Sequence, residues 1–401
     1  MSPSFTDGGS ANMLMLHNVH VLGQGLRDIS VDGETISQVR VSNSSGEKDA
    51  AISFHFDQCL VFPGLINSHD HLHFNSFPRL GHRTYADYVE WGADIHAADR
   101  EQIDAVLKIP MPLRARWGLY KNLLNGVTTV VHHGERMPVA TDLIKVFNRC
   151  HSLHSVRQER RWRWRLNKPW AKPWPFVIHA GEGTHAAARA EIDTLLRWNL
   201  LKRSLVAIHG VAMTPAQARF FAALIWCPAS NDFLLKATAD IPRLSEHTAI
   251  LFGTDSTLTA SWNLWEQLRY GRGLGLLRDE ALMASLATTP ARAWGLRDRG
   301  QIKEGFQADI VIARPKKPAA DFQSWFDLNP EDLVLVMQAG RILLCEEDRY
   351  LQAAKAGLMS SPCSRIIVGG SVKYVAGDLP ELMAEIRRYM PEAAFPARTV
   401  D

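Results

Sequence analysis

The stretch Pro63-Gly64-Leu65-Ile66-Asn67-Ser68-His69-Asp70-His71 decides how the fold of this chain is interpreted. A short apolar run ends there in two histidines separated by one residue. Because residues i and i+2 of a strand point to the same face, both imidazoles can hold one metal ion. His73 continues the alternation and could supply a third ligand. We expect the strand to end near His71, which favours a place for His73 behind the metal or in the pocket.

A second apolar run, residues 176–178, leads into His179, and Glu182 follows three residues later. The turn between them is flanked by glycines, which let the backbone fold tightly enough for Glu182 to face the atom that His179 positions. This arrangement differs from the HExxH pattern, in which two histidines share one face of a helix. It predicts a ligand and a nearby proton-transfer group at one strand end.

Two more apolar runs end at His209 and shortly before Asp255. The spacing of the four motifs can be compared with the strand-to-strand repeat of a barrel. His71 to His179 is 108 residues, His179 to His209 is 30 and His209 to Asp255 is 46. A (β/α)8 barrel of ~250 residues repeats about every 31 residues. Divided into four, one and two such units, the intervals predict that the motifs end strands 1, 5, 6 and 8. Barrel active sites lie at these C-terminal strand ends.

The rest of the chain has a matching organisation. From residue 63 onward, short apolar runs alternate with amphipathic stretches, which predicts a parallel sheet, either doubly wound or closed as a barrel. The flanking stretches are β-like and indicate a small β domain that the end of the chain completes. We therefore expect a disordered tail at 1–11, the small β domain at 12–62 and 301–375, the barrel at 63–300, and a C-terminal helix and tail at 376–401.

Composition excludes several classes of protein. The chain has 401 residues, 46% hydrophobic and 22% charged, as expected of a globular protein with one large core and a smaller one. Its 45 Lys and Arg against 42 Asp and Glu give a net charge of +3, too small for a dedicated nucleic-acid binder. The five cysteines lie far apart, which predicts neither a disulfide framework nor a CxxC zinc site.

The expected location follows from two further features. No apolar run reaches the ~20 residues that span a bilayer, and the N-terminus lacks the basic-then-apolar layout of a signal peptide. We therefore expect a cytoplasmic protein with no membrane partner.

Segment 156–174 holds seven Lys and Arg, one Glu and four Trp. One interpretation is a stacking platform for nucleic acid or an anionic ligand. The other is a solvated helix and a proline-rich connector whose Trp side chains pack on the barrel. The nearly neutral net charge favours the second.

The motifs in chain order resemble the amidohydrolase superfamily, most closely the mononuclear branch of cytosine, guanine and adenosine deaminases and chlorohydrolases. They are PGLINSHDH (63–71), HAGEG (179–183), IHG (208–210), CPASN (227–231), GTDS (253–256), TPARAWGL (289–296) and GFQADIVI (305–312). The resemblance covers nearly the whole chain. It implies an α/β fold, a (β/α)8 TIM barrel, with a small β-sandwich domain formed from both chain termini.

Carried over position by position, the resemblance implies that His69, His71, His179 and Asp255 bind one divalent metal ion per chain, Zn²⁺ or Fe²⁺. Asp255 would also accept a proton from the metal-activated water. Glu182 resembles the carboxyl group that protonates a ring nitrogen. His209 resembles the histidine that orients the hydroxide or polarises the reacting carbon.

One departure from the superfamily pattern favours a single metal. Binuclear members carry a carboxylated Lys at the end of strand 4, which the 27-residue step places near position 152. Residues 148–154 contain no Lys. His151 and His154 remain candidates for the pocket or, less favoured, for ligation.

Specificity is expected from loops above the barrel. The residues predicted to contact substrate are His73, Asn75, Arg79, His133 and Asn231. A guanidinium at Arg79 would favour a carboxylate or phosphate on the substrate, although Arg79 could equally be a solvated loop residue.

Four functions are weighed on this basis. The first is a metal-dependent amidohydrolase that deaminates an aminated nitrogen heterocycle by hydroxide attack and releases ammonia. The second is a hydrolase that opens a cyclic amide, ureide or imidazolone-type C–N bond. A non-catalytic binding barrel is disfavoured because every candidate ligand is present, and nucleic-acid binding is weakly supported. The expected partners are a small-molecule substrate and, as in related barrels, a second copy of the chain.

Overall fold

The computed structural model of the chain describes residues 13–42, 52–135, 143–317 and 321–400. The tail predicted at 1–11 lies outside these residues. Along the described chain, the burial pattern changes where the sequence changes. The first strand, Met13–Val21, buries roughly every second residue, whereas Leu65–Asp70 is buried at every position. Continuous burial is typical of parallel strands covered on both faces.

The strands form three groups along the chain. The first group is β1 (Met13–Val21), β2 (Gly25–Asp32), β3 (Thr35–Val41), β4 (Ile52–His55) and β5 (Leu60–Pro63). The second is β6 (Leu65–Asp70), β7 (Val127–His132), β8 (Lys145–Phe147), β9 (His151–Ser155), β10 (Phe176–Ala180), β11 (Leu205–His209), β12 (Ala223–Trp226) and β13 (Ala249–Phe252). The third is β14 (Ile310–Ala313), β15 (Leu333–Gln338), β16 (Arg341–Glu346), β17 (Cys363–Val368), β18 (Ser371–Ala376) and β19 (Ala397–Thr399).

The first and third groups share one sheet of eleven strands in the described chain. Its two halves join where β5 pairs with β14 in antiparallel register, with Phe62 opposite Val311. The small β domain is therefore assembled from both ends of the chain. Its division into the two packed sheets of a sandwich stays a prediction.

The second group is parallel throughout and forms two hydrogen-bonded sets, β6-β7-β8 and β9-β10-β11-β12-β13. Only residues 148–150 separate β8 from β9. Parallel neighbours need a crossover of about a dozen residues or more, so β8 and β9 are successive segments of one strand position. β8 pairs with β7, and β9 pairs with β10.

The even division of the interval from His71 to His179 into four units is therefore wrong. Most of this interval is the stretch between β6 and β7, and β8 and β9 together take up eleven residues, 145–155. The motifs still fall at strand ends, because that property depends on each local apolar run and not on the repeat. In the residues that the structure describes, no strand ladder joins β13 to β6.

The ends of β13 and β6 nevertheless meet. A Cβ atom on Gly253 would lie 2.7 Å from the Cβ atom of His69, so only glycine permits this approach. The Asp255 backbone N–H donates to the His69 carbonyl oxygen at 3.1 Å. This contact brings the first and last motifs of the parallel group side by side.

Most helices connect or flank the parallel strands. They are α1 (Tyr88–Ala98), α2 (Arg100–Leu107), α3 (Met111–Leu123), α4 (Trp162–Leu166), α5 (Ala186–Trp198), α6 (Pro215–Ala218), α7 (Pro228–Leu235), α8 (Ile241–Leu244), α9 (Leu264–Gly273), α10 (Asp279–Ala284), α11 (Thr288–Ala293), α12 (Phe322–Phe326), α13 (Glu347–Lys355) and α14 (Leu379–Tyr389). Two 3-10 turns lie at Leu72–Phe74 and Pro330–Asp332. Among the described helices, none has both the length and the apolar character needed to cross a bilayer.

Three helices, α1 to α3, fill the stretch between β6 and β7. Asp87 caps the start of α1 by accepting hydrogen bonds from the backbone N–H groups of Val89 and Glu90. Helix α3 packs so closely on the turn after β6 that a Cβ atom on Gly118 would meet the Leu72 carbonyl oxygen at 2.3 Å. Helix α3 therefore lies directly against the turn that follows His69 and His71.

Candidate metal centre

The ends of β6, β10, β11 and β13 bring the predicted histidines and the aspartate to one place. The potential ligand atoms of His69, His71 and Asp255 lie within 4.8 Å of one another, and so do those of His69, His179 and His209. His69 belongs to both groups and is fully buried. Residues from strands that are far apart in sequence thus converge on one point, with His209 as near to it as the predicted ligands.

The His69 ring is the clearest sign that this point is built to receive a metal ion. Neither of its ring nitrogens has a hydrogen-bond partner, although both are buried. Its Nε2 atom lies 3.6 Å from Asp255 Oδ1, and the Nε2 atom of His71 lies 3.8 Å from the same oxygen. A buried polar group without a partner costs about 1–3 kcal/mol. Imidazoles and one carboxylate are a donor set that suits Zn²⁺ or Fe²⁺, so the residues fit such an ion.

Two of the histidines are held by partners on their outer nitrogens. Nδ1 of His179 lies 2.8 Å from the His154 carbonyl oxygen, and Nδ1 of His209 lies 2.8 Å from Asn231 Oδ1. Because each acceptor is an oxygen, each Nδ1 carries the proton and each Nε2 is free toward the centre. Asn231 is thus a positioning residue for His209.

Asp255 is fixed in a similar way. Its Oδ2 atom accepts hydrogen bonds from the hydroxyl groups of Ser230, at 2.8 Å, and Thr259, at 3.1 Å. Its Oδ1 atom faces the histidines. Asp255 and His209 also have positive φ angles, +55° and +69°. Such backbone costs about 1–3 kcal/mol at a non-glycine residue and is concentrated at functional sites.

The electrostatics of the centre separate its two carboxyl groups. Burial, and then the charge of Asp255, raise the pKa of Glu182 well above its usual range. Burial acts in the same direction on Asp255, but the nearby imidazoles of His69, His71 and His209 hold its pKa well below normal. Glu182 Oε1 lies 3.5 Å from Nε2 of His209. The two carboxyl groups of the centre therefore have pKa values shifted in opposite directions.

A buried network that the sequence did not reveal lies behind the histidines. Asp70, between the two histidines of β6, accepts hydrogen bonds from Lys121 Nζ at 3.0 Å and from the side-chain amides of Asn122 and Asn75, both at 2.7 Å. Lys121 Nζ also donates to Thr254 Oγ1 at 3.1 Å, next to Asp255. Lys121 therefore links the strand end that carries His69 to the one that carries Asp255. Lys121 lies about 50 residues from the nearest motif in sequence, so the motifs did not predict its role.

In front of the centre lies a cavity of about 560 Å³. His71, His179, Glu182, His209 and Asp255 form its inner end. The outer wall is mostly apolar and comes from α1, α2 and the turn after β6. Its apolar members are Phe74, Phe77, Tyr88, Val89, Trp91, Ala93, Ile95, Ile103, Leu107, Leu234 and Leu258. His154, predicted as a pocket candidate, also lines the cavity.

The residues predicted to contact substrate are placed elsewhere. Asn75 and Asn231 are buried in hydrogen bonds to Asp70 and His209. His133 is buried with its ring centroid 4.6 Å from that of His179, and its Nε2 atom has no partner. Asn75 and Asn231 are therefore held by their hydrogen bonds, whereas the His133 ring lies beside the candidate ligands His69, His71 and His179.

The two remaining predicted contacts also miss the cavity. The ring of His73 packs on Phe74 and His132. Arg79 is exposed and stacks over the ring of Phe233. A substrate anion bound by Arg79 is therefore not supported by its position. Sequence reasoning missed the helical wall, since the apolar spacing of α1 and α2 is that of any packed helix.

Segment 156–174 is built mainly from internal contacts. Trp162 is buried in the main core, and Arg163 stacks between Trp162 and Trp198. Trp170 remains 71% exposed, with Lys168 over its ring. Arg163, Lys168 and Lys172 thus lie over indole rings of the segment or of Trp198, whereas Trp164 and Trp170 stay exposed and do not pack on the barrel.

Residues 174–343 match the family model described as the amidohydrolase family. A 135-residue stretch is 30% identical to 5-methylthioadenosine/S-adenosylhomocysteine deaminase of Pyrococcus furiosus, covering 30% of this chain and 32% of that protein. The resemblance to the amidohydrolase superfamily is confirmed. The match to this relative spans about a third of its length. A second match spans 19% of the length of an N-acyl-D-glutamate deacylase of Alcaligenes xylosoxydans xylosoxydans.

Solved structures support the amidohydrolase fold over nearly the whole chain. Atrazine chlorohydrolase TrzN from Arthrobacter aurescens TC1, complexed with zinc, superposes with a TM-score of 0.65 at 18% identity, covering 94% of this chain and 100% of that one. An adenosine deaminase from Xanthomonas campestris with bound zinc gives 0.63 at 15% identity, covering 96% and 98%. At these identities the two likenesses show the fold that this chain shares with the two zinc-bound enzymes.

Proposed function

We propose that this amidohydrolase removes an amino group from an aminated nitrogen heterocycle and releases ammonia. The observation that carries the proposal is the pair of carboxyl groups at the inner end of the cavity. Burial raises the pKa of Glu182, whereas the surrounding histidines hold the pKa of Asp255 well below its usual range. Deamination needs both, since one proton must leave the attacking water and another must reach the ring.

We assign the metal to His69, His71, His179 and Asp255, as one Zn²⁺ or Fe²⁺ ion per chain. When bound by these residues, such an ion would supply the acidity that makes hydroxide available at neutral pH. The unpartnered His69 nitrogens and the outward bonds of His179 support this ligand set.

The remaining steps are assigned to side chains of this chain. Asp255 Oδ1 accepts the proton of the attacking water, because Ser230 and Thr259 occupy only its Oδ2 atom. Glu182 donates a proton to the ring nitrogen of the substrate as the new C–O bond forms. The proton held by Asp255 then passes to the amino group, which leaves as ammonia when the C–N bond breaks, and Glu182 takes back the proton of the added hydroxyl group. His209, held by Asn231, orients the attacking oxygen against the reacting carbon.

The proposal extends to the architecture and the setting. We propose that residues 63–300 form a closed barrel in which β13 meets β6 at Gly253, with the β8–β9 pair as one of its strand positions. The small domain would be a β-sandwich made of 12–62 and 301–375. A cytoplasmic location, a small-molecule substrate and a homodimer complete it.

The proposal is tested by ammonia release from the Zn²⁺- or Fe²⁺-loaded protein over aminated purines, pyrimidines, pterins, triazines and cyclic guanidines. Ammonia that disappears in the Asp255→Asn variant is the expected result and names the substrate ring. No ammonia from any ring, with one metal bound, would contradict deamination. The same protein would then be tested on cyclic amides, ureides and imidazolones, where a ring-opened product identifies the second function.

A further inference from the structure

The cavity is larger than its reactive end requires. Its volume of about 560 Å³ lies in the range of about 300–1,000 Å³ that accommodates drug-sized ligands. The metal and proton-transfer candidates occupy one end. The other end runs along α1 and α2, past Val89 and Ile95 to Ile103. A bare heterocycle held at the centre would leave this part of the cavity without a ligand group.

The outer wall carries no lysine or arginine among the described residues that line it. The acidic residues that line the cavity, Glu182 and Asp255, lie at its inner end and not in the outer wall. Arg79 stacks outward on Phe233, and the nearby Arg157 is paired with Asp87. A carboxylate or phosphate packed along α1 and α2 would lose hydration without meeting a lysine or arginine among the described lining residues.

The apolar wall is also attached to the catalytic turn. The Tyr88 backbone N–H donates to the Glu182 carbonyl oxygen at 3.3 Å, and that of Thr184 donates to the Ala86 carbonyl oxygen at 2.9 Å. Trp91 Nε1 donates to the Leu80 carbonyl oxygen at 2.8 Å. Helix α1 is thus held in place by hydrogen bonds on both sides of its first turn. An apolar group that packs on it would meet a preformed surface.

From these observations we propose that the substrate is not anionic and carries an alkyl or aryl substituent, which packs against α1 and α2 while its reacting ring lies at the metal centre. The inference rests on the proposed function only for the position of the ring. The size, the polarity and the fixed wall of the cavity support the apolar substituent and the absence of a negative charge.

The test measures binding apart from turnover. Isothermal titration calorimetry on the metal-loaded Glu182→Gln protein compares, for each ring of the ammonia panel, the bare ring, its phenyl derivative and its carboxyphenyl derivative. We expect the phenyl derivative of the preferred ring to bind at least about tenfold tighter than the bare ring, and the carboxyphenyl derivative to lose that gain. Equal affinity for bare and phenyl rings, no binding of any phenyl derivative, or preference for the carboxylate would overturn the inference.

A variant of the wall sharpens the test. Val89 is half-buried on the first turn of α1, so Val89→Lys adds a cation to the apolar wall without filling the core. It should reverse the preference toward the carboxyphenyl derivative at unchanged metal content. Trp164→Ala, which removes a 59% exposed side chain that does not line the cavity, is the matched control and should bind like the parent. An unchanged preference in Val89→Lys would contradict the inference.

The two proposals can fail separately. Ammonia from bare rings without any gain from a phenyl group would leave the proposed function standing and remove the inference. Tight binding of phenyl derivatives without ammonia from any of them would contradict deamination and leave the inference about the substituent standing.

Discussion

His69 and Asp70 are neighbours on β6, equally buried, and their side chains have opposite surroundings. The His69 ring nitrogens have no hydrogen-bond partner, whereas Asp70 accepts bonds from Lys121, Asn122 and Asn75. Successive side chains of a strand point to opposite faces, so β6 separates a layer open to a ligand from a layer in which the Asp70 oxygens are paired. The difference teaches that, on this strand, the side chain without a hydrogen-bond partner faces the candidate metal centre, and the fully paired side chain lies behind it.

The largest expected effect comes from the open layer, the side of the centre that holds His69 and Asp255. Asp255→Asn should lower kcat by about 10⁴-fold, because the ligand set loses its charge and the attacking water its proton acceptor. Metal content, measured by elemental analysis after dialysis, should fall sharply. Full metal retention in this variant would contradict the assignment of Asp255 as a ligand.

The paired layer should respond in stability. Lys121→Met leaves the Asp70 carboxylate buried beside a neutral side chain, which costs about 3–5 kcal/mol in the free energy of unfolding. Urea titration measures this loss. The double variant Lys121→Met/Asp70→Asn should recover most of the lost stability, because it leaves no buried charge without a partner.

The control for Lys121 is a lysine of the same chemistry at the surface. Lys236 pairs with Asp232 at 3.1 Å and is largely exposed, so Lys236→Met should change stability by less than about 1 kcal/mol. Similar losses at Lys121 and Lys236 would mean that the Asp70 network contributes no more than a surface pair.

Glu182 should separate chemistry from metal binding within the open layer. Glu182→Gln should lower kcat by about a hundredfold or more, because the amide cannot donate the proton that the ring requires. Its metal content should match that of the parent. Metal loss equal to that of Asp255→Asn would show that Glu182 is assigned to the wrong role.

The smallest effect is expected far from both layers. Replacing Arg161, Arg163 and Arg165 by Ala should leave fluorescence anisotropy with a labelled single-stranded oligonucleotide unchanged, because Arg163 stacks on indoles and Arg165 pairs with Glu159. A marked loss of oligonucleotide binding would revive the platform interpretation of segment 156–174.

The open layer was largely predictable and the cavity wall was not. His69, His179 and His209 each end a local apolar run, and a strand end can be recognised from a few residues. Val89 and Ile95 line the cavity, but their helical spacing is the same in any helix that packs on a core. Arg79 was expected to meet the substrate because it follows β6, yet its loop turns it toward Phe233.

By itself, the sequence determined the local features: which runs form strands, which side chains share a face, and which polar groups stand where the strands end. These depend on periodicity over a few residues. Only the tertiary structure decided that Lys121 pairs with Asp70, that β8 and β9 occupy one strand position, and that α1 and α2 wall the cavity. Each of these depends on the path of the chain across tens of residues, which local periodicity does not encode.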